Sequence, residues 1–148
     1  MAFTGNYATN TYKNGLNTGT FNLGTGTSQV FKIALYTNTA TLDATTAAYT
    51  ATGEVSATGY TAGGETLTVS QVPTVGASGT TSYYSFSNVT WSGSFTARGA
   101  LIYKYDGSDN PAMIVLDFGN DKTSTGTFEV QFPAANNTNA IVRISLWC

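Results

Sequence analysis

The sequence contains no histidine and a single cysteine, Cys148, at its last position. Without histidine the chain cannot build a Ser-His-Asp triad, a Cys-His pair, a histidine-ligated zinc site or a histidine pH switch. One cysteine cannot close a disulfide within the chain or hold a multi-cysteine zinc or iron–sulfur site. Cys148 is left as a frayed terminal thiol, a buried end residue or a link between subunits.

Charge is also scarce, since charged residues make up 9% of the chain and the formal net charge is −2. The six Lys and Arg residues are scattered along the sequence, whereas phosphate neutralisation needs clustered positive charge. No stretch approaches the roughly 18 consecutive apolar residues of a membrane helix, and the N-terminus lacks the basic and apolar segments of a secretory leader. We therefore expect no nucleic-acid partner, no membrane partner and no export through a leader of its own.

Small polar residues and glycine are abundant, in contrast to the few charged residues. Thr, Ser, Asn and Gly account for 67 of the 148 residues. This composition favours strands and turns over helices, and the length is that of one domain with a core large enough to be stable without disulfides.

Alternating or continuous apolar runs predict about seven strands, separated by polar turns. We place these strands at residues 30–36, 66–72, 83–91, 95–105, 112–118, 127–132 and 140–147. A β-bulge near Ser87 and Asn88 would reconcile the two faces of the third run, and Pro73 is expected to end the second. The pattern predicts an all-β domain over residues 29–148, built as a single antiparallel β-sandwich or jelly roll.

Two segments lack strand periodicity. Residues 1–28 are polar with isolated aromatic residues, which indicates an extended N-terminal arm that binds a partner, a disordered tail or an irregular edge segment of the domain. Residues 37–66 form a long loop rich in small residues, and loops of that length are usually functional or interfacial. The predicted partner-interface residues are the large apolar side chains of these two segments: Phe3, Tyr7, Tyr12, Leu42, Tyr49, Val55 and Tyr60.

No motif predicts chemistry. Residues 106–111 carry four oxygen-bearing side chains that could bind Ca²⁺, but their spacing is that of a hairpin turn and not of an EF-hand. The carboxylates Glu54, Glu65, Asp117 and Glu129 are not joined by a motif that would pair them for glycoside hydrolysis. Trp91 and the tyrosines could stack on a sugar, but they fall within strand patterns typical of core packing. We expect no catalytic residue, cofactor or metal, and a protein that is not an enzyme.

Several longer strings resemble a family of small virion proteins encoded by tailed bacteriophages. In the first half these are FKIALYT at 31–37, ATLD at 40–43, YTATGEVS at 49–56 and GYTAGG at 59–64. In the second half they are VTW at 89–91, ARGALIY at 97–103 and VLDFG at 115–119, followed by Asp121 and Lys122. The likeness spans about residues 21–145 and is carried by the combined strings.

The resemblance implies a virion component and supplies no catalytic residues. Of the possible positions in the particle, we favour the capsid surface, with the chain acting as a decoration or cement protein that binds major capsid subunits. It would be made in the host bacterial cytoplasm and would self-associate, with a homotrimer expected. The alternatives are a tail, collar or fibre-attachment component, a receptor- or carbohydrate-binding module, and a virion-associated glycan hydrolase.

Overall fold

The computed structural model describes residues 3–77 and 79–145. Over these residues the chain folds into antiparallel strands and one short helix, so the predicted all-β sandwich is confirmed. The elements are β1 (Tyr7–Ala8), α1 (Asn10–Thr18), β2 (Val30–Tyr36), β3 (Glu65–Leu67), β4 (Val69–Val75), β5 (Ser82–Phe86), β6 (Val89–Gly93), β7 (Thr96–Tyr105), β8 (Ala112–Thr123), β9 (Gly126–Val130) and β10 (Val142–Ile144).

The first layer is a five-stranded sheet in the order β1-β8-β7-β2-β3. Its centre is the pairing of β2 with β7, which runs from Val30 opposite Tyr105 to Tyr36 opposite Gly99. Strand β2 is almost continuously apolar, and residues 33–36 are fully buried. Such a run predicts a strand covered on both faces, and both faces of this sheet are covered.

The second layer consists of two small sheets, in the orders β10-β5-β4 and β6-β9. The predicted single strand at residues 83–91 with a bulge is instead two strands, β5 and β6, which are separated by Ser87 and Asn88 and belong to different sheets. The apolar side chains of both layers form one core cluster, which includes Ile33, Trp91 and Phe128. Alternation along residues 127–132 predicts that Phe128, Val130 and Phe132 point inward and that Thr127, Glu129 and Gln131 face water. Phe128 and Val130 are buried and the three polar residues are exposed, as predicted, whereas Phe132 is half-buried and lies beyond the end of β9.

A second core cluster lies on the other face of the five-stranded sheet. There the side chains of Tyr36, Leu101 and Tyr103 are covered by Phe3 from the N-terminus and by Ala40 and Leu42 from the long loop. The first part of the long loop, residues 37–64, therefore covers this outer face, whereas Val55, Ala57 and Tyr60 further along it pack on the inner core cluster. Both faces of the sheet are removed from water although only one faces a second layer of strands.

The N-terminal segment differs from the predicted arm, because residues 3–28 pack on the domain. Thr9 caps α1 by accepting a hydrogen bond from the backbone N–H of Tyr12, and Gly19 ends the helix in the left-handed conformation with φ of 78°. These are the cap types that begin and end helices. A short helix was not predicted, because its sequence is polar and has a glycine at its centre. The segment is thus part of the core, with Tyr12 buried in it.

Three further strand predictions need correction. The predicted strand at residues 66–72 divides at Thr68 into β3 and β4, which belong to different sheets. Pro73 does not end a strand but lies within β4, which is the edge of its sheet and shifts register between Gln71 and Thr74. An edge strand with a bulge is where proline is tolerated. Strand β8 continues five residues past its predicted end at Phe118. In β10, Val142 is buried but Ile144 is exposed, and the predicted continuation to residue 147, like Cys148, lies outside the described residues.

Candidate interaction surfaces

The seven predicted interface residues lie largely inside the domain. Four are buried in its own core, namely Phe3, Tyr12, Leu42 and Val55, and three are half-buried, namely Tyr7, Tyr49 and Tyr60. Isolated aromatic residues in a polar segment can bind a partner or can hold the segment on its own domain. In this protein they hold the segment on its own domain. Phe3, for example, packs on the outer face of the sheet, with the guanidinium of Arg98 5.8 Å from its ring centroid.

Glu54 is the centre of a hydrogen-bond network that holds the long loop in place. Its carboxylate accepts hydrogen bonds from the hydroxyls of Tyr49 and Tyr60, each at 2.6 Å, and from the backbone N–H of Gly63 at 2.8 Å. Two more tyrosines fix the loop from the sheet. Tyr36 donates to the carbonyl of Thr50 at 2.7 Å, and Tyr103 donates to that of Gly63 at 2.8 Å. The hydrogen bonds to the Glu54 carboxylate are charge-assisted, and such bonds are stronger than those between neutral groups.

Burial keeps the tyrosines of this network protonated. Desolvation raises the pKa of Tyr103 to about 12, with the nearby charge of Glu54 adding to it. Burial also raises the pKa of Tyr36, Tyr49 and Tyr60, and the negative charge of Glu54 acts in the same direction on each. A phenol that stays protonated remains a hydrogen-bond donor, so the tyrosine hydroxyls keep donating to their acceptors across the physiological pH range.

The same loop completes the hydrogen bonding of the edge of β2 where β3 stops. Beyond Ile33, the carbonyl of Leu35 accepts from the N–H of Val55, and the N–H of Leu35 donates to the hydroxyl of Tyr60. Gly64 allows the close approach, because a Cβ at this position would overlap the carbonyl oxygen of Ile33 and its φ is 71°. The long loop thus contacts both the outer face of the sheet and the edge of β2.

The acidic side chains of the 106–111 turn and the carboxylate of Asp117 have structural partners. The carboxylate of Asp106 accepts hydrogen bonds from the N–H groups of Ser108 and Asn110, which is the hairpin-turn arrangement. Asp117 forms an ion pair with Arg98 and accepts from the N–H of Gly119. Across residues 3–77 and 79–145, no group of three His, Cys, Asp or Glu residues is placed to hold a metal ion.

Trp91 lies in the core and is not a platform for a sugar. It is 2% exposed, and its ring lies against those of Tyr60 and Phe128 at centroid distances of 6.2 and 6.3 Å. Its indole N–H has no hydrogen-bond partner among the described residues. This position contradicts a use of Trp91 in carbohydrate stacking, and Trp147 lies outside the described residues.

Exposed apolar side chains are instead found at other places that the sequence did not single out. Leu16 of α1 and Ile144 of β10 line one groove of about 300 Å³. Val30 and Tyr105 lie opposite each other at the end of the β2–β7 pair. Val30, Tyr105 and Ile144 lie at the ends of their strands, where the alternation of buried and exposed positions stops, and Leu16 lies in the helix that the sequence pattern did not predict.

A further groove of about 410 Å³ lies between β8 and β9. The two strands belong to different layers, and Ser124 and Thr125 connect them at one end. Phe118, Phe128 and Val130 give the groove an apolar floor, while Lys122 and Glu129 line its two sides. No sequence motif indicated this groove, since it is formed by the way two layers diverge.

Comparison of the chain with protein-family models, with curated proteins and with solved structures finds no match. Among the described residues, no helix is both long enough and apolar enough to cross a membrane.

Proposed function

We propose that this chain is a structural protein of a tailed-bacteriophage virion and that it acts as a capsid decoration protein. On this proposal it binds the outside of the head shell, contacts neighbouring major capsid subunits and stabilises their association. The proposal begins from the resemblance of residues 21–145 to small phage virion proteins, and the structure adds physical support in the form of the long loop.

The observation that carries the proposal is the way the long loop is fixed. Twenty-eight residues with little regular structure are held on a sheet by the Glu54 carboxylate and by tyrosine hydroxyls. The result is a broad surface of fixed shape with few charges. A protein that lies across several neighbours needs such a surface, because a mobile loop would lose conformational entropy at every contact.

Decoration also depends on copy number and not on the strength of one contact. A ligand that binds only the assembled shell stabilises it by mass action, and linked copies add to this effect by avidity. Self-association as a homotrimer would give each unit three equivalent contacts to the shell. The exposed pairs Leu16 with Ile144 and Val30 with Tyr105, together with Val75, are among the apolar surfaces available for such contacts.

The experiment that tests the proposal is the copy number of the chain relative to the major capsid protein in purified particles, by quantitative mass spectrometry. Copies in near-equal number support decoration of the whole shell. A dozen or fewer copies per particle would move the chain to the tail, collar or fibre-attachment site, and its absence from particles would reject a virion role.

A binding assay tests which surface of the chain contacts the capsid. Purified chain should bind shells assembled without it and raise their temperature of disruption. Ile144→Asp, which places a charge in the Leu16 groove, should weaken binding, whereas Asp109→Asn in the exposed hairpin turn should not. Equal binding by both variants would exclude the Leu16 groove as the capsid contact.

A further inference from the structure

The long loop contains a groove of its own, with a volume of about 540 Å³. Every described residue that lines this groove belongs to residues 51–62 of the loop. Most of the lining side chains are small, such as the exposed Ala51, Ser56 and Ala62, and Glu54 is the one charged residue among them. We call this the Glu54 groove. Its small side chains leave space for a long, slim side chain from another molecule.

The two oxygens of the Glu54 carboxylate differ in how many hydrogen bonds they accept. Oε1 accepts from the hydroxyl of Tyr60 and from the N–H of Gly63, whereas Oε2 accepts only from the hydroxyl of Tyr49 among the described residues. Each oxygen of an ionised carboxylate can accept about two hydrogen bonds. Oε2 therefore has one acceptor position that the described part of the chain does not fill.

The negative charge of Glu54 also forms no ion pair within residues 3–77 and 79–145. Asp117 is half-buried like Glu54, and it pairs with Arg98. Two lysines of the five-stranded sheet make other contacts. The Nζ of Lys32 lies 5.0 Å from the ring centroid of Tyr105, and that of Lys104 donates to a backbone carbonyl at 3.0 Å. The three donors to Glu54 are all neutral groups.

This arrangement decides which chemistry can cover the groove. A partner that covers it removes water from Glu54, and a charge that loses water without gaining an opposite charge costs free energy. An apolar or acidic surface is therefore disfavoured, whereas a basic side chain supplies both the charge and the N–H donor. The aliphatic stem of Lys or Arg packs on small apolar groups, and the ring of Tyr60 in the lining attracts a cation.

We propose that the Glu54 groove binds a Lys or Arg side chain of a protein partner, with its cationic group donating to Oε2 of Glu54. The inference deepens the proposed function and rests on it for the partner, which is then the major capsid protein. One open acceptor position takes one N–H, and an ammonium or a guanidinium supplies it. The long loop would thus contribute a specific charged contact in addition to its fixed shape.

The first test uses the isolated full chain and needs no capsid. The isotope-labelled chain is titrated at low salt with the blocked tripeptides acetyl-Ala-Lys-Ala-amide and acetyl-Ala-Arg-Ala-amide, and its backbone amide signals are followed by NMR. The signals of residues 51–63 should shift and saturate at millimolar peptide. The neutral acetyl-Ala-Gln-Ala-amide should bind about tenfold more weakly, because it lacks the charge.

Two variants with matched controls assign the binding to this groove. Glu54→Gln removes the charge and should weaken binding of the basic peptides about tenfold, whereas Glu65→Gln removes an exposed charge outside the groove and should not. Ala62→Arg leaves Glu54 unchanged but places a guanidinium in the groove from the chain itself, so it should abolish peptide binding. Ala135→Arg, at an exposed position outside the groove, should not.

The second test compares the same four variants for binding to shells assembled without the chain. Glu54→Gln and Ala62→Arg should each weaken shell binding about tenfold, and the two controls should bind as the original chain does.

The inference is overturned if neither basic peptide shifts residues 51–63, or if the glutamine peptide binds equally well. Shell binding that tolerates both Glu54→Gln and Ala62→Arg also overturns it and leaves decoration standing. The proposed function fails separately, because a chain that binds the basic peptides in this groove but does not bind shells supports this inference and rejects decoration.

Discussion

The two faces of the five-stranded sheet are buried by different means. The inner face packs on a second layer of strands, through a cluster of aliphatic and aromatic side chains that includes Ile33, Trp91 and Phe128. The outer face is covered by a loop, which is fixed by hydrogen bonds to Glu54 and from Tyr36 and Tyr103. The inner side of the sheet is therefore stabilised by apolar packing, whereas the outer side combines a smaller apolar cluster with directional polar contacts.

This difference teaches what a loop needs in order to replace a layer. A strand layer satisfies its own backbone, so its side chains are free to be apolar. A loop leaves backbone groups unpaired, and buried unpaired groups cost free energy. Tyrosine meets both needs, because its ring covers the sheet and its hydroxyl pairs with the loop. Substitutions on the two faces should accordingly destabilise the protein in different ways.

The largest effect is expected on the inner face. Trp91→Ala should lower the free energy of unfolding by about 3–5 kcal/mol, since it empties the largest buried side-chain volume of the core. Urea denaturation followed by circular dichroism measures the loss. Trp91→Phe is the control, and it should cost less because the indole N–H has no hydrogen bond to lose. A loss below about 1 kcal/mol for the alanine variant would contradict tight packing here.

Next in size is a backbone effect at the point where the long loop meets β2. Gly64→Ala should cost about 2–3 kcal/mol, because the added Cβ would overlap the carbonyl oxygen of Ile33 and the backbone has a positive φ. Gly107→Ala provides the control, since its φ is also positive but no atom lies within 4 Å of the added Cβ. If both variants lost equal stability, close approach at Gly64 would not matter.

The Glu54 network should show the polar character of the outer face. Glu54→Ala should cost about 2 kcal/mol, because it leaves two half-buried tyrosine hydroxyls and the N–H of Gly63 without their acceptor. Glu54→Gln keeps one carbonyl acceptor and should cost about half as much. Hydrogen exchange should speed up in residues 37–64 in the alanine variant while β7 stays protected. Uniform exchange throughout the chain would contradict a local role.

A smaller effect is expected from pH. An unfolded tyrosine loses its proton near pH 10, whereas folded Tyr103 keeps its proton until its pKa of about 12. The stability that protonated Tyr103 contributes is complete below pH 10 and is lost as the pH rises from about 10 to 12. The loss from this residue should be on the order of 1 kcal/mol at pH 11. Tyr103→Phe should flatten the measured decline, and an unchanged decline would exclude Tyr103 as a contributor.

The sequence predicted the parts of the fold that depend on local patterns. The run at residues 30–36 became β2 with the same limits, and turn residues at Asp106 and Asn110 placed the hairpin between β7 and β8. Alternation along β9 correctly assigned the buried positions of Phe128 and Val130. Each of these signals lies within about ten residues, which is the range over which periodicity and turn chemistry act.

The surfaces could not be predicted in the same way. Tyr49 and Tyr60 were predicted to face a partner because their loop has no period, but the acceptor that fixes them is Glu54 of the same loop. No pattern marks a carboxylate as the acceptor of two tyrosines. The groove between β8 and β9 depends on two layers diverging, which is a tertiary property.

The pairing of β1 with β8 has a consequence for the newly made chain. Tyr7 lies opposite Val115, so these partners are more than a hundred residues apart in sequence. Strand β2 likewise waits for its partner β7, the central strand of the sheet, which is made some seventy residues later. Until β7 and β8 leave the ribosome, the most apolar strand of the protein has no neighbour to pair with on that side. The interval between synthesis of β2 and of β7 is therefore when the chain is most exposed to aggregation.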